Sequence, residues 1–129
     1  MIIHFVFGVL TALFAIFLIN VFLKRQPNTK LTPFMMFFVC FSFSMCAGAI
    51  WEIYEFLGDS FFDLNKQNFQ GATMFVGQHA LLDTMTDLIC NCAGALITSL
   101  IISICVVYCE SFIKSFQIIL RSQTGKFVR

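Results

Sequence analysis

Charged residues are scarce in this chain of 129 residues: they make up 12% of it, and eight basic side chains nearly balance seven acidic ones. A net charge of +1 gives no reason to expect nucleic acid as a partner. Hydrophobic residues account for 59% of the chain, and the mean hydropathy is +0.88. So apolar a composition excludes an ordinary soluble domain and predicts an integral membrane protein.

The chain also lacks the marks of a linker-rich or repetitive protein. It has only two prolines and seven glycines, and no low-complexity stretch. No segment repeats at a period of about 20 to 50 residues, which excludes solenoid folds. We therefore expect residues 1–129 to form a single membrane domain surrounded by lipid.

Three apolar runs are long enough to cross a membrane as helices: residues 2–23, about 33–57 and about 80–108. A crossing helix needs about 20 predominantly apolar residues. Beyond the third run, apolar residues recur at helical spacing opposite polar ones, which predicts an amphipathic helix over about 111–121. The sequence thus predicts an all-α integral membrane protein with three transmembrane helices plus a C-terminal amphipathic interfacial helix.

The basic residues predict how the chain lies in the cell membrane. Three lysines and arginines fall between the first two spans, one falls between the second and third, and four fall in the tail. The positive-inside rule then predicts an N-terminus and a long second loop outside, with the C-terminus in the cytoplasm. Because basic residues follow the first run and do not precede it, we expect a transmembrane helix there and not a cleaved signal peptide.

Two of the predicted helices carry acidic side chains inside apolar runs. A charged side chain at the centre of a membrane helix costs about 2.5 to 3.5 kcal/mol on insertion scales, so such residues indicate a functional site. Spacings of three and four residues put them on one face of each helix. The predicted polar site consists of Glu52, Glu55, Asp59, Asp83, Asp87 and Asn91.

The second and third helices are antiparallel in this prediction, so their polar faces meet. Counting residues back from the connecting loop predicts that Glu55 lies level with Asp87 and that Glu52 lies one turn further in. The count is accurate to about one helical turn, which is about 5 Å. Deeper still, Gly48 and Gly94 are expected to let the helix backbones approach closely.

No lysine or arginine in the apolar part of the chain balances these carboxylates. The compensating species are then protons, a metal ion, water in a cleft or a cationic substrate. An oxygen-rich shell favours a divalent ion such as Mg²⁺, Mn²⁺ or Ca²⁺. The expected metal ligands are Glu52, Glu55, Asp83, Asp87 and His79. His4, at the outer end of the first span, is a further nitrogen donor, although hydrogen bonding at the interface explains either histidine alone. Protonated carboxyls that only bond neighbouring helices are the structural alternative.

At these residues the chain resembles a known family. The motif Trp51-Glu-x-x-Glu55, together with Asp83-Thr-Met-x-Asp87, is similar to the YjdF-like group of uncharacterised bacterial multi-pass membrane proteins. The portion from Asp87 through Asn91 is also similar to VanZ-like membrane proteins, some of which are linked to glycopeptide resistance. The resemblance covers roughly residues 28 to 105 and implies a bacterial multi-pass membrane protein.

Two functions fit the sequence. One is a small transport, sensing or accessory component whose carboxylates bind protons or cations; three helices barely enclose a pathway, so we expect a homo-oligomer or a complex with another membrane protein. The alternative is a divalent-metal-dependent enzyme acting on a lipid or lipid-linked substrate. Lys66 is the only basic side chain expected outside, which leaves a phosphate group without partners and favours the first function.

Overall fold

The computed structural model describes residues 1–24, 31–67 and 76–108. They form three helices: α1 (Ile2–Leu23), α2 (Pro33–Phe62) and α3 (Val76–Tyr108). All three are long and apolar enough to cross a membrane. The predicted interfacial helix over about 111–121 lies outside the described residues.

Helix α2 is bounded by side-chain and backbone caps. The Thr32 hydroxyl accepts a hydrogen bond from the Met35 amide at 3.2 Å, and Pro33 occupies the first helical position, where its missing N–H costs nothing. The helix ends at Phe62 because Asp63 adopts a left-handed conformation (φ 54°). It therefore continues five residues, about 7 Å, beyond the predicted end at residue 57.

The three helices pack against one another in a bundle, with α2 antiparallel to α1 and α3. The closest approach is between α1 and α3. A Cβ atom added at Gly8 would collide with the backbone of Asn91 and Ala95, and one added at Gly94 would collide with the Phe5 carbonyl. Glycine is required at both positions because the obstacle is a neighbouring backbone, which cannot rotate away.

The interior of the bundle changes from apolar to polar along its length. Near the start of α2, buried apolar residues from all three helices form the core: Ala15, Ile16, Ile19, Met36, Cys40 and Ile102. Towards the other end, small polar groups bond across the helices; Ser44 donates to the Gly8 carbonyl at 3.0 Å and lies 2.7 Å from the Thr11 hydroxyl. The ionisable residues lie beyond this layer.

Candidate functional site

One ionisable residue from each helix meets its partners at the end of the bundle where α1 begins. His4, Glu52 and Asp87, here called the three-helix cluster, each offer a ligand atom within 4.8 Å of the other two. His4 Nδ1 lies 3.0 Å from Asp87 Oδ1, and His4 Nε2 lies 3.7 Å from Glu52 Oε1. The imidazole is thus inserted between two carboxylates.

The cluster is largely shielded from solvent. The side chains of His4, Glu52 and Asp87 keep only 13%, 7% and 11% of their surface exposed. Glu52 Oε1 and His4 Nδ1 are buried, and neither makes a hydrogen bond. The Asp87 oxygen is close to His4 Nδ1 but is not aligned for such a bond. Buried polar atoms are normally satisfied, so these two require an explanation.

The layer beneath the cluster fixes how the helices meet. Asn91 is 1% exposed and donates from Nδ2 to the Ser44 carbonyl at 3.2 Å. Its side chain occupies the space over Gly48, where an added Cβ would lie 2.5 Å from the Asn91 amide nitrogen. Because Glu52 is four residues beyond Gly48, and Asp87 is four residues before Asn91, this contact brings the two carboxylates to the same level.

The register of α2 against α3 therefore differs from the predicted one by about one turn. Glu52, not Glu55, lies at the level of Asp87. Counting residues back from the loop assumed that both helices ended level, whereas the fit of Asn91 against Gly48 sets the actual register. The atoms nearest to a Cβ added at Gly94 likewise belong to α1.

The other predicted ligands lie outside the cluster. Glu55 is half-buried and accepts a hydrogen bond from the Trp51 indole at 2.9 Å. Asp83 is half-buried and His79 is exposed. Of the five predicted metal ligands, only Glu52 and Asp87 meet, and the histidine that joins them is His4.

Asp59 caps a turn instead of joining the other carboxylates. It accepts hydrogen bonds from the backbone amides of Lys66 and Gln67, the latter at 2.7 Å. The Gln67 side chain then donates to the Thr84 hydroxyl on α3 at 2.9 Å. The turn after α2 is thus connected to α3.

The α-amino group of Met1 also reaches the cluster. It lies 2.8 Å from Asp87 Oδ1, and this hydrogen bond raises the pKa of the amine above its ordinary value. The Met1 side chain is 75% exposed. Two carboxylates can be balanced here by the amine and a protonated imidazole, or by a bound cation that receives a lone pair from neutral His4.

The comparisons with known proteins agree with the membrane architecture. No curated protein and no solved structure is significantly similar to the chain. A family model described as a predicted membrane protein matches residues 1–107, which include all three residues of the cluster. The chain belongs to the DUF2238 family of predicted membrane proteins.

Proposed function

We propose that the protein binds a divalent transition-metal ion at the three-helix cluster and works as an ion-sensing or accessory membrane component. The observation that carries the proposal is the Glu52 carboxylate, which is 93% buried and has its Oε1 atom unpartnered beside two other potential ligands. An unpartnered buried carboxylate oxygen is costly unless something positive binds it.

The geometry favours an ion over a shared proton. If protonated His4 simply bridged two carboxylates, both ring nitrogens would point their N–H bonds at oxygen atoms about 2.7 to 3.2 Å away. Instead His4 Nε2 is 3.7 Å from Glu52, and Nδ1 makes no hydrogen bond. One ion can take a lone pair from only one of the two ring nitrogens, and with one oxygen each from Glu52 and Asp87 the ligand atoms lie within 4.8 Å of one another. Metal–ligand bonds of about 2.0 to 2.2 Å put neighbouring ligand atoms about 3 to 3.5 Å apart, so a small movement of the side chains would complete the site.

The ligand set also indicates the class of ion. Only two carboxylates meet at the cluster, and the third ligand is an imidazole nitrogen. Imidazole suits transition-metal ions such as Zn²⁺, Fe²⁺ and Ni²⁺, whereas Mg²⁺ and Ca²⁺ prefer shells of oxygen. An ion would release Asp87 from the Met1 amine, which is exposed and can return to water.

A sensing role follows because a bound ion would join the three helices. One ligand comes from each helix, so ion binding would hold all three helices together at this end. Beneath the cluster the interior is filled, with Ala12, Cys40 and Ala95 fully buried. The part of a single copy that residues 1–24, 31–67 and 76–108 form therefore offers no pathway, and transport would need a homo-oligomer or a partner membrane protein. A strictly monomeric protein mass from light scattering would argue against transport.

The enzyme alternative is less well supported. A phosphate-bearing lipid would need cationic side chains beside the ion. Lys66 lies instead with its ammonium 4.0 Å from the centre of the Tyr54 ring. No other lysine or arginine of residues 31–67 and 76–108 is available to the cluster.

Ion binding can be tested by thermal unfolding of the purified wild-type protein in detergent after treatment with chelator. We expect Zn²⁺, Co²⁺ and Mn²⁺ to raise the unfolding temperature more than Mg²⁺ or Ca²⁺. At a free ion concentration of about 100 times Kd, the free energy of unfolding should rise by about 2.7 kcal/mol. The effect should weaken at acidic pH, because protons compete for the imidazole and carboxylate ligands. The absence of a shift with all five ions at millimolar concentration would rule out the site.

We also propose that the N-terminus, and with it the cluster, lies outside the cytoplasm. The proposal rests on the basic residues around Lys24 and in the tail. On a cysteine-free background, a membrane-impermeant maleimide should label Leu64→Cys in intact cells and should not label Lys24→Cys. Both positions are exposed. The reverse labelling pattern would invert the orientation.

Within DUF2238, we infer that the chain is related to the YjdF-like proteins and more distantly to the VanZ-like ones. The inference rests on the Trp51–Glu55 and Asp83–Asp87 motifs. The site supports this inference, because Asp87, the last residue of the second motif, is a member of the three-helix cluster. YjdF-like chains that lacked an acidic residue equivalent to Asp87 would contradict it.

A further inference from the structure

We propose that the protein has a binding site for the headgroup of phosphatidylethanolamine, a phospholipid that carries one phosphate and one primary ammonium group. The site consists of Trp51, Tyr54, Glu55 and Lys66, here called the headgroup site. It shares no residue with the three-helix cluster and does not depend on the ion. The lipid is a bound partner in this site and undergoes no reaction.

The side chain of Lys66 runs back along α2 towards the middle of that helix. The Lys66 backbone amide is bound by the Asp59 carboxylate. The stem of the side chain lies beside Gly58, where an added Cβ would be 3.6 Å from Cδ and 3.7 Å from Cε. The ammonium lies 4.0 Å from the centre of the Tyr54 ring. A lysine near a membrane usually extends its ammonium away from the hydrocarbon, so the direction of this side chain requires a reason.

The Lys66 ammonium lies at the depth expected for lipid headgroups. The contact between His4 and Glu52 brings the start of α1 level with Glu52 on α2. The 22 residues of α1 rise about 33 Å, close to the thickness of the hydrocarbon, about 30 Å. Glu52 therefore lies near the edge of the hydrocarbon. Trp51 and Tyr54 are exposed beside it, at the depth where tryptophan and tyrosine are enriched in membrane proteins.

Aromatic side chains hold the two charges of the headgroup site. Glu55 accepts a hydrogen bond from the Trp51 indole at 2.9 Å, and the Lys66 ammonium lies over the Tyr54 ring. The ring centres of Trp51 and Tyr54 are 5.6 Å apart. Lys66 forms no ion pair with Glu55 or with any other carboxylate of residues 1–24, 31–67 and 76–108. One positive and one negative group are thus presented beside two exposed rings.

This pair of charges complements phosphatidylethanolamine better than an anionic lipid. The Lys66 ammonium has three donors for the lipid phosphate, and the Glu55 carboxylate can accept further hydrogen bonds, here from the lipid ammonium. Within residues 31–67 and 76–108, Lys66 is the only lysine or arginine beside six aspartates and glutamates. A lipid with net negative charge is repelled by so acidic a surface, whereas phosphatidylethanolamine brings its own positive charge.

The test is a lipid titration of the delipidated full-length protein in detergent, with bound lipid counted by native mass spectrometry. The wild type should bind phosphatidylethanolamine about 10-fold or more tightly than phosphatidylglycerol, which lacks the ammonium. It should also bind phosphatidylcholine more weakly, because the choline nitrogen has no hydrogen to donate. Soluble phosphoethanolamine at the same concentration should not displace the lipid, because it lacks the acyl chains.

Three variants assign the two halves of the headgroup. Lys66→Met removes the charge at nearly constant length and should weaken binding of all three lipids by about 10-fold or more, since each carries a phosphate. Glu55→Gln keeps an acceptor for the Trp51 indole but should abolish the preference over phosphatidylglycerol. Lys24→Met removes an exposed lysine at the other end of α1 and should leave the preference for phosphatidylethanolamine unchanged.

Four results would overturn the proposal. The first is equal affinity of the wild type for the three lipids, and the second is wild-type affinity for phosphatidylethanolamine in Lys66→Met. The third is a lower unfolding temperature of lipid-free Lys66→Met with unchanged lipid affinity, which would show that Lys66 only holds the turn after α2. The fourth is binding of phosphoethanolamine as tight as that of the lipid, which would make a soluble phosphate compound the ligand.

Discussion

Replacing Asp87 with asparagine should abolish the stabilisation that Zn²⁺ or Mn²⁺ gives the protein, while the ion-free bundle still folds. Asp87 is the only residue of α3 in the three-helix cluster, and its Oδ1 atom lies 3.0 Å from His4 Nδ1. The change removes one negative ligand at nearly constant size. Because changes that merely reorient a metal ligand cost about 10 to 100-fold in affinity, loss of the ligand itself should exceed about 100-fold.

The same substitution one turn away provides the control. Asp83 is half-buried on the same helix but lies outside the cluster, so Asp83→Asn should keep the ion response. Thermal unfolding of both variants, with chelator and with each ion, makes the comparison. If the carboxyls only bond neighbouring helices, asparagine can take over those bonds. Asp87→Asn would then retain wild-type behaviour, and the metal proposal would be wrong.

The spanning helices could be predicted from the sequence because length and apolarity are enough to define them. Helical spacing also indicated which polar residues face inwards. Glu52, Asp87 and Asn91 are buried, whereas Tyr54 and Leu57 on the opposite side of α2 are exposed. A membrane helix that carries one polar stripe can hide that stripe only against another helix, so periodicity alone gives this much of the site.

The partner of the two carboxylates could not be predicted in the same way. His4 is the only ionisable side chain of α1, so no periodic stripe marks its face. Its place depends on the close contact of Gly8 and Gly94, which brings α1 against α3. The sequence offers both glycines, but it does not say which helices they join.

Asp59 illustrates a second limit of sequence patterns. It continues the spacing of the acidic residues on α2, and the sequence therefore predicts that it belongs to the site. In the fold, its carboxylate accepts the backbone amides of Lys66 and Gln67. Whether Asp59 acts as a ligand or as a cap depends on where α2 ends and on the path of the following turn. The polar residues after Leu57 predicted an earlier end, whereas α2 ends at Phe62. A carboxylate near a helix end can serve as a cap as readily as a ligand.

Gly94→Ala should destabilise the bundle strongly for so small a change. The added Cβ would run into the Phe5 carbonyl and the Val9 amide of α1. Neither backbone group can turn aside, so α1 must move away from α3. Overpacking of this kind typically lowers the free energy of unfolding by about 1 to 3 kcal/mol. Unfolding in detergent, followed by heat or denaturant, measures the loss.

Gly58→Ala is the matched control, since Gly58 is also helical and buried. Its added Cβ would meet only side chains, the nearest being Leu64 Cδ1 at an ordinary 3.4 Å. Alanine favours a helix over glycine by about 0.5 to 1 kcal/mol, so this variant should be neutral or slightly more stable than the wild type. Equal stability of the Gly94→Ala variant and the wild type would contradict the close packing of α1 on α3.

The position of Phe5 allows the Gly94 prediction to be tested by a second measurement, the affinity for the ion. Phe5 directly follows His4, so displacing the Phe5 carbonyl should also move the imidazole away from Asp87. We therefore expect Gly94→Ala to weaken ion binding as well as stability, although residue 94 lies two turns from the cluster on α3. Gly58→Ala should change neither. A Gly94 variant that lost stability but kept its Zn²⁺ affinity would mean that α1 can shift without carrying His4 out of the cluster.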